Sequence, residues 1–312
     1  MSKILGIDTS NYTTSAALLD TYSLTVIQQK KLLPVKSGEK GIRQANAVFH
    51  HTKQLPEMIG RLSFDDKLIG IGVSVKPRLE EGSYMPCFLV GESAADMIGS
   101  VCGIAPDKTS HQVGHILAAV YSSRRFDLLN SGKPFGAFHV SGGTTDLLIC
   151  EPDRENVINI KRIGGSDDLK AGQAIDRCGV MLGLDFPCGK ALEALAAGSN
   201  ADFSLKPSIK GLDCSFSGVE NKCSKMLSEG APRADIAKYC LTYVLEAVKA
   251  LTFRLYDEYG NIPVMYAGGV MSNKMIRNSL EDSSRIFCEP EFSCDNAVGV
   301  AVYSAIKRGV IK

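Results

Sequence analysis

The chain contains the same strand–turn–strand pattern twice, about half a chain apart. Residues 4–8 and 15–19 are apolar runs of strand length on either side of a polar turn. Residues 135–140 and 147–149 repeat this arrangement, and both turns are short and rich in hydroxyl or glycine residues. Such runs bounded by turn residues are typical of β-hairpins. The repetition predicts a duplicated α/β unit with two lobes that face one cleft, although two unrelated hairpins would give the same pattern.

Helix and strand patterns between and after the hairpins also favour an α/β fold. Residues 44–62 have helical periodicity with an expected break at Pro56, and residues 69–75 form an apolar run that indicates a buried strand. The longest helical pattern, residues 233–259, places its apolar side chains on one face. Residues 262–266 then predict a further strand.

The division into lobes follows the two hairpins. We expect one lobe from residues 1–130 together with a C-terminal helix over residues 296–312, and the other from residues 131–295. Because no low-complexity linker separates the halves, we expect the lobes to pack together rather than to be tethered.

The composition excludes several classes of protein. Hydrophobic residues are 45% of the 312 residues and charged residues 22%, as in a globular chain. Lys plus Arg number 35 and Asp plus Glu 34, so the net charge of +1 excludes an overall basic field for nucleic acid but not a local basic face. No stretch has the length of a bilayer span free of charges, so we expect no membrane association.

The ten cysteines are scattered along the chain, and no pair has Cys-x-x-Cys spacing. Spacing therefore gives little support to a zinc–thiolate or thioredoxin-like site. Most cysteines have apolar, Gly or Ser neighbours, which is typical of small core residues. With no secretory signal pattern at the start of the sequence, a reducing cytoplasm is the expected location.

His111 and His115 are four positions apart in a stretch that Thr109 or Ser110 can cap as a helix. Both imidazoles would then lie on one helical face, where they can bind one ion. A metal needs at least one further ligand, and many such pairs simply lie on a polar surface. The pair therefore predicts either a metal site or a polar helix face.

Asp295 directly precedes the last predicted helix. As an N-cap it would accept hydrogen bonds from the first free amides of that helix, and this is the interpretation that the sequence alone favours. As a third ligand beside two imidazoles, its carboxylate would suit iron or zinc.

Two glycine turns, residues 141–143 and 268–269, each follow a predicted strand. Backbone N–H groups at such turns can bind a phosphate, although tight packing explains the glycines equally well. Neither turn matches a Walker A loop or a Rossmann fingerprint.

His139, just before the first turn, can face the core or a ligand. Asp176 is either a partner for ribose or magnesium or a solvated helix acid, and residues 50–51, two histidines, are predicted to lie on the surface.

In combination, these and further motifs resemble the tRNA threonylcarbamoyladenosine transferase family, called TsaD, Kae or Gcp and formerly labelled O-sialoglycoprotein endopeptidase. The motifs are Leu5-Gly-Ile-Asp-Thr-Ser10, His111-x3-His115, Val140-Ser-Gly-Gly143, Ala171-Gly-Gln-Ala-Ile-Asp176, Leu182-Gly-Leu-Asp-Phe-Pro187, Asp213-x-Ser-Phe-Ser-Gly218, Ala267-Gly-Gly-Val-x-Ser-Asn273 and Cys294-Asp-Asn296. Each motif is modest alone, but the order is specific and covers nearly the whole chain.

The resemblance implies an α/β fold of the actin-like ATPase (ASKHA) type, with two duplicated RNase H-like lobes and a cleft between them. It implies that His111, His115 and Asp295 hold a divalent metal, with iron or zinc favoured and magnesium possible beside a nucleotide. The residues implied to bind an adenine nucleotide or threonylcarbamoyl-adenylate are His139, Val140, Ser141, Gly142, Gly143, Asp176, Gly189 and Asn273. The implied partners are tRNA, a smaller actin-like paralogue and an ATPase.

The implied reaction is an acyl transfer. The exocyclic amine of an adenosine beside the tRNA anticodon attacks the carbamoyl carbon of threonylcarbamoyl-adenylate. The metal would act as a Lewis acid, and backbone amides would hold the phosphate. The resemblance assigns no general acid or base in this chain.

The chain departs from the family pattern at several polar positions. It has Tyr12 and Thr13 where the family usually has acids, Val113 for a glutamate, Thr144 for a histidine, Gln173 for a glutamate, and Lys76-Pro77-Arg78-Leu79 for a Gly-Pro-Gly loop. The lost acids and histidine would weaken acid–base catalysis and water ordering. The added cations would suit a different anionic ligand.

Three functions therefore remain open at this point. The first is an enzyme of tRNA modification. The second is a divergent paralogue that binds metal and adenine nucleotide without tRNA transfer. The third, a metallopeptidase, has the least support because the chain has no His-Glu-x-x-His motif to supply the base.

Overall fold

The computed structural model describes residues 2–10, 12–34, 42–280, 282, 284–294 and 296–312. Its backbone divides into two compact units. The first unit contains Met1–Lys133, Glu151–Ile160 and Cys294–Lys312, and the second contains Pro134–Cys150 and Lys161–Ser293. The short segment 151–160 thus groups with the first unit, although the sequence alone placed it within the second lobe.

The strands and helices alternate along much of the chain. The strands are β1 (Ser2–Asp8), β2 (Thr13–Asp20), β3 (Val26–Leu32), β4 (Lys67–Lys76), β5 (Asp107–Ser110), β6 (Phe135–Val140), β7 (Thr145–Asp153), β8 (Val157–Ser166), β9 (Ser208–Lys210), β10 (Asp213–Ser215), β11 (Val264–Ala267) and β12 (Arg285–Phe287). The helices are α1 (Gln44–Gly60), α2 (Phe88–Cys102), α3 (His111–Ser123), α4 (Asp127–Asn130), α5 (Ala171–Met181), α6 (Gly189–Ala196), α7 (Ser217–Ser228), α8 (Arg233–Tyr259), α9 (Lys274–Leu280) and α10 (Val298–Lys307). None of the described helices is long and apolar enough to cross a lipid bilayer.

The first unit is built on a five-stranded sheet with the order β3-β2-β1-β4-β5. β1 and β2 form the hairpin that the sequence predicted, and β1, β4 and β5 run parallel. The carboxyl ends of the three parallel strands therefore lie at one edge of the sheet, which is where ligands bind in open α/β sheets.

Helix α1 continues through Pro56, so the predicted break at this residue is wrong. A proline removes one backbone hydrogen bond from a helix interior. Leu55 and Met58, on either side of it, are buried in the core of the first unit and hold the helix against the sheet. Tertiary packing here overrides the local preference.

Helix α10 packs so closely on its neighbours that three glycines are required. A Cβ on Gly6 would collide with the backbone carbonyl of Ala297, and one on Gly72 would collide with the carbonyl of Val300. Gly299 of α10 lies against the backbone of α3, which leaves no room for a methyl group. These contacts fix α3, and with it the two histidines, on the sheet.

The second unit is built on a seven-stranded sheet with the order β12-β11-β6-β7-β8-β10-β9. β6 and β7 form the second predicted hairpin, and β6 pairs in parallel with β11, with His139 opposite Ala267. The rings of Phe138, Tyr266 and Phe287 stack across three neighbouring strands, at centroid distances of 5.2 and 5.0 Å. Because β6 and β11 are parallel neighbours, the glycine turns that follow them emerge side by side.

We expect Gly299→Ala to lower the free energy of unfolding by about 1–3 kcal/mol, the usual cost of an added methyl group in a packed core. A Cβ at this position meets the carbonyl of Gly114, which cannot move without shifting α3. Gly60→Ala is the matched control, because nothing lies within 4 Å of a Cβ there. Urea unfolding should show a lower midpoint for Gly299→Ala only. Equal midpoints for the two variants would contradict the proposed close packing.

Candidate functional site

The two predicted histidines lie together at the start of α3. Ser110, one of the two caps that the sequence predicted, caps this helix, because its side chain accepts a hydrogen bond of 3.2 Å from the amide of Val113. The Nε2 atoms of His111 and His115 are 2.9 Å apart, and the ring centroids are separated by 4.3 Å. His115 is only 6% exposed, so it does not lie on an open polar surface.

Asp8, at the end of β1, orients the first of these imidazoles. Its Oδ2 is 2.7 Å from Nδ1 of His111, and its Oδ1 accepts hydrogen bonds from the amide of Ser10 and the hydroxyl of Ser74. An ionised carboxylate can only accept, so Nδ1 of His111 carries the hydrogen. The sequence placed Asp8 in the Leu5–Ser10 motif but indicated no role for it, although an acid that ends an apolar strand was a visible signal.

The described residues of this site fit a divalent metal ion. At metal–nitrogen distances near 2.0–2.1 Å, two ligands of one tetrahedral ion stand about 3.3 Å apart, close to the separation of the two Nε2 atoms. A carboxylate on the far nitrogen of a ligating histidine is the usual arrangement around such ions. The third predicted ligand, Asp295, lies outside the described residues.

The first glycine turn of the second unit, which joins β6 to β7, is open on one side. The hydroxyls of Ser141 and Thr144 are 2.7 Å apart, and the amide of Thr144 donates to the Ser141 hydroxyl at 3.2 Å. A Cβ on Gly142 or Gly143 would meet nothing within 4 Å. Packing therefore does not require these glycines, and a ligand would have space beside them.

In the second glycine turn, packing explains one glycine but not the other. Gly268 has φ of +98° and lies against the backbone of Val140, so packing and conformation both require it. Gly269 has open space beside its Cα. The amide of Gly172, at the start of α5, donates to the carbonyl of Ser141 at 3.3 Å, which brings a helix N-terminus next to the first turn.

Asp176 connects α5 to the start of α6. Its Oδ1 accepts a hydrogen bond of 2.8 Å from the amide of Cys188, the residue before Gly189. Burial raises the pKa of Asp176 above its ordinary value, and the hydrogen bond from Cys188 opposes this only in part. A Cβ on Gly189 would meet open space.

Asn273 caps α9 through a hydrogen bond of 3.1 Å from the amide of Ile276 to its Oδ1. The next amide, that of Lys274, donates to Glu193 of α6 at 2.6 Å. A cavity of about 560 Å³ lies between these elements, and Lys190, Lys238 and Lys274 contribute to its lining. Three lysines beside one glutamate favour an anionic ligand.

Several polar residues have structural contacts that the sequence did not reveal. His139 is 7% exposed and lies within β6. His51 was predicted to lie on the surface, and this is wrong. It is fully buried, and its Nδ1 is 2.8 Å from the hydroxyl of Thr14, which also donates to Gln54. Helical periodicity cannot predict this contact with Thr14 of β2.

Comparison with known proteins gives a family match over most of the chain. The model of the family TsaD, tRNA N6-adenosine threonylcarbamoyltransferase, matches residues 24–302. A tRNA N6-adenosine threonylcarbamoyltransferase of Aromatoleum aromaticum is 28% identical over 326 residues, which cover 98% of this chain and 91% of the relative.

Solved structures show the same architecture at low sequence identity. Component A of the (R)-2-hydroxyglutaryl-CoA dehydratase of Acidaminococcus fermentans has a TM-score of 0.54 at 15% identity, over all of both chains. Full-length HypF has a TM-score of 0.59 at 12% identity, over 98% of this chain and 55% of HypF. A ROK family glucokinase of Streptomyces griseus has a TM-score of 0.52 at 10% identity, over 98% and 99%. The fold is therefore of the actin-like ATPase (ASKHA) type, as the resemblance implied.

We expect Asp8→Asn to weaken divalent-metal binding by about 10–100-fold, the usual effect of removing a carboxylate that orients a ligating histidine. The amide keeps the shape of the side chain but loses the charge that fixes Nδ1–H of His111. Zinc affinity, measured by competition with a chromogenic chelator, provides the test. Asp96→Asn, which changes an exposed acid paired with Lys108, is the control and should bind zinc normally. Equal affinities would remove Asp8 from the site.

We expect Asp176→Asn to weaken AMP binding by about tenfold or more, because a charged acceptor is lost. The folded variant should nevertheless be more stable than the wild type at neutral pH. Burial disfavours the carboxylate in the folded state, so wild type loses stability relative to the variant as pH rises above the ordinary aspartate value. The melting temperature of the variant should thus exceed that of wild type at about pH 7, and the gap should close towards about pH 3. Asp202→Asn, an exposed acid, should show neither effect.

Proposed function

The chain belongs to the tRNA N6-adenosine threonylcarbamoyltransferase family, and from that premise we propose that it transfers a threonylcarbamoyl group from its adenylate to an adenosine of tRNA. The observation that carries this proposal is the pair of imidazoles on α3, whose Nε2 atoms are 2.9 Å apart, with His111 oriented by Asp8. Two neighbouring imidazoles are ligands that suit a Lewis-acid metal such as zinc.

In the proposed reaction, the N6 amine of adenosine attacks the carbamoyl carbon. A new carbon–nitrogen bond forms, the bond from that carbon to the phosphate oxygen breaks, and AMP leaves. One proton departs from the attacking amine. The atoms balance without an oxidant or reductant, so the protein has only to bind, orient and stabilise charge.

The second unit is proposed to hold the adenylate. The open sides of Gly142, Gly143 and Gly189 allow a ligand to approach the backbone closely, and amides at the start of α5 and α6 are suited to an anion. The cavity lined by Lys190, Lys238 and Lys274 would accept the remainder of the nucleotide. Asp176 is proposed to bind the ribose hydroxyls.

The first unit is proposed to hold the metal through His111 and His115, with Asp295 as a third ligand. Two imidazoles and a carboxylate suit iron or zinc, while magnesium would belong with the phosphate. A divalent ion bound there would supply Lewis-acid catalysis. Asp8 keeps Nδ1 of His111 protonated, so that Nε2 carries the lone pair.

A second candidate is a paralogue that binds metal and nucleotide without tRNA transfer. It is favoured by the contacts of residues at positions where this chain differs from the family pattern. Val113 is fully buried and has no side-chain atom that could take up a proton. Thr144 is engaged with Ser141, and Gln173 accepts from the amide of Lys170 at the start of α5. These three positions have structural contacts where the family usually has an acid or an imidazole.

The proposed partners follow from the family. tRNA would be the acceptor, and a smaller actin-like paralogue and an ATPase would be the protein partners. Because the net charge is only +1, tRNA would have to bind at a local basic face or through a partner protein.

The test is to express the chain in cells that lack the tRNA transferase and to measure threonylcarbamoyladenosine in their tRNA by mass spectrometry. Wild type should restore the nucleoside. The double variant His111→Ala/His115→Ala should not, because the metal ligands are gone, whereas the control His50→Ala should behave as wild type. Soluble wild-type protein that binds metal and AMP but restores no nucleoside would reject the transferase and support the paralogue.

A further inference from the structure

Three cysteines far apart in the sequence meet inside the second unit. Cys178 of α5, Cys223 of α7 and Cys240 of α8 have sulfur atoms that all lie within 4.8 Å of one another. All three residues are fully buried. Within the described part of the chain, this is the one group of three or more metal-binding side chains that meets so closely.

The spacing of the three sulfurs is near that of a metal–thiolate site. At a metal–sulfur distance of about 2.3 Å, sulfurs around one ion stand about 3.8 Å apart in tetrahedral geometry and about 4.0 Å apart in trigonal geometry. Since no pair here exceeds 4.8 Å, shifts below about 1 Å would bring all three onto one ion. Such shifts are within the reach of side-chain rotation.

Packing of small core residues is the alternative explanation, and the other buried cysteines provide the comparison. Cys87, Cys150 and Cys214 are equally suited to fill a core, and they take no part in a cluster of this kind. Burial alone raises the pKa of Cys150.

Cys223 behaves differently from an isolated buried thiol. Its contacts with the sulfurs of Cys178 and Cys240 hold its pKa below the ordinary value, against the effect of burial, while the thiol of Cys240 donates to the carbonyl of Ala174 at 3.8 Å. Cysteine binds metals as the thiolate, so binding of an ion would remove the proton from each of the three sulfurs.

We propose that Cys178, Cys223 and Cys240 form a buried three-thiolate site for a soft metal ion, of the Cu(I) or Zn(II) kind. Each sulfur–metal bond replaces a sulfur–hydrogen bond, and the protons pass to solvent, so no electrons are transferred. Thiolates select these ions over calcium and magnesium. Three sulfurs without a fourth ligand suit three-coordinate Cu(I), whereas structural zinc would need a fourth donor.

Such an ion would connect three helices of one unit. α5 carries Asp176, and α7 and α8 pack beside it in the same hydrophobic core. An ion that binds the folded state stabilises it by mass action, so the site would raise the melting temperature. The site is separate from the imidazole pair and does not depend on the proposed transfer reaction.

The test uses the full chain with His111→Ala/His115→Ala, so that ions at the imidazoles do not contribute. Under anaerobic reducing conditions, Cu(I) and Zn(II) are each titrated against a competing chelator. We expect one ion per chain, a rise in melting temperature on binding, and X-ray absorption with a sulfur shell at about 2.3 Å. A preference for Cu(I) or for Zn(II) identifies the ion.

Cys223→Ala should lower the affinity at least tenfold and abolish the rise in melting temperature. Cys150→Ala, a buried cysteine outside the cluster, should change neither. The proposal is overturned if neither ion binds the reduced protein, or if the bound ion has a nitrogen or oxygen shell. The absorption measurement decides the question even if Cys223→Ala fails to fold.

Discussion

The hydrogen bond between Asp8 and His111 is the contact on which the account of the first unit depends. It joins residues 103 positions apart, at the end of β1 and the start of α3. The sheet order and the packing of α10 on α3 bring these two ends together. Once the carboxylate fixes the tautomer of His111, the Nε2 atom of this residue carries a lone pair and can serve as a ligand. Without that contact, two histidines on a helix would not distinguish a metal site from a polar helix face.

The glycines divide into those that packing requires and those that it does not require. Gly299 and Gly268 are packed against backbone, so their role is structural. Gly142, Gly143 and Gly189 face open space, and no packing contact explains them. A single residue type thus has two physical roles, and the motif pattern in the sequence does not distinguish them. Only the surroundings of each Cα do so.

The sequence predicted those features that depend on local pattern. Both hairpins, the long helix α8 and the cap at Ser110 follow from periodicity and capping rules, and the structure has them all. The burial of His51, the continuation of α1 through Pro56 and the role of Asp8 depend on contacts with distant strands. The cysteine cluster was missed for the same reason, because its members are on three separate helices and have no motif spacing.

The central claim, that the imidazole pair binds a catalytic divalent ion, is tested most directly by a crystal structure of the protein grown with zinc or iron. The account predicts an anomalous difference peak bonded to Nε2 of His111 and of His115, with the carboxylate of Asp8 still on Nδ1 of His111. A map with no peak there, while the metal is bound elsewhere in the same crystal, would contradict it.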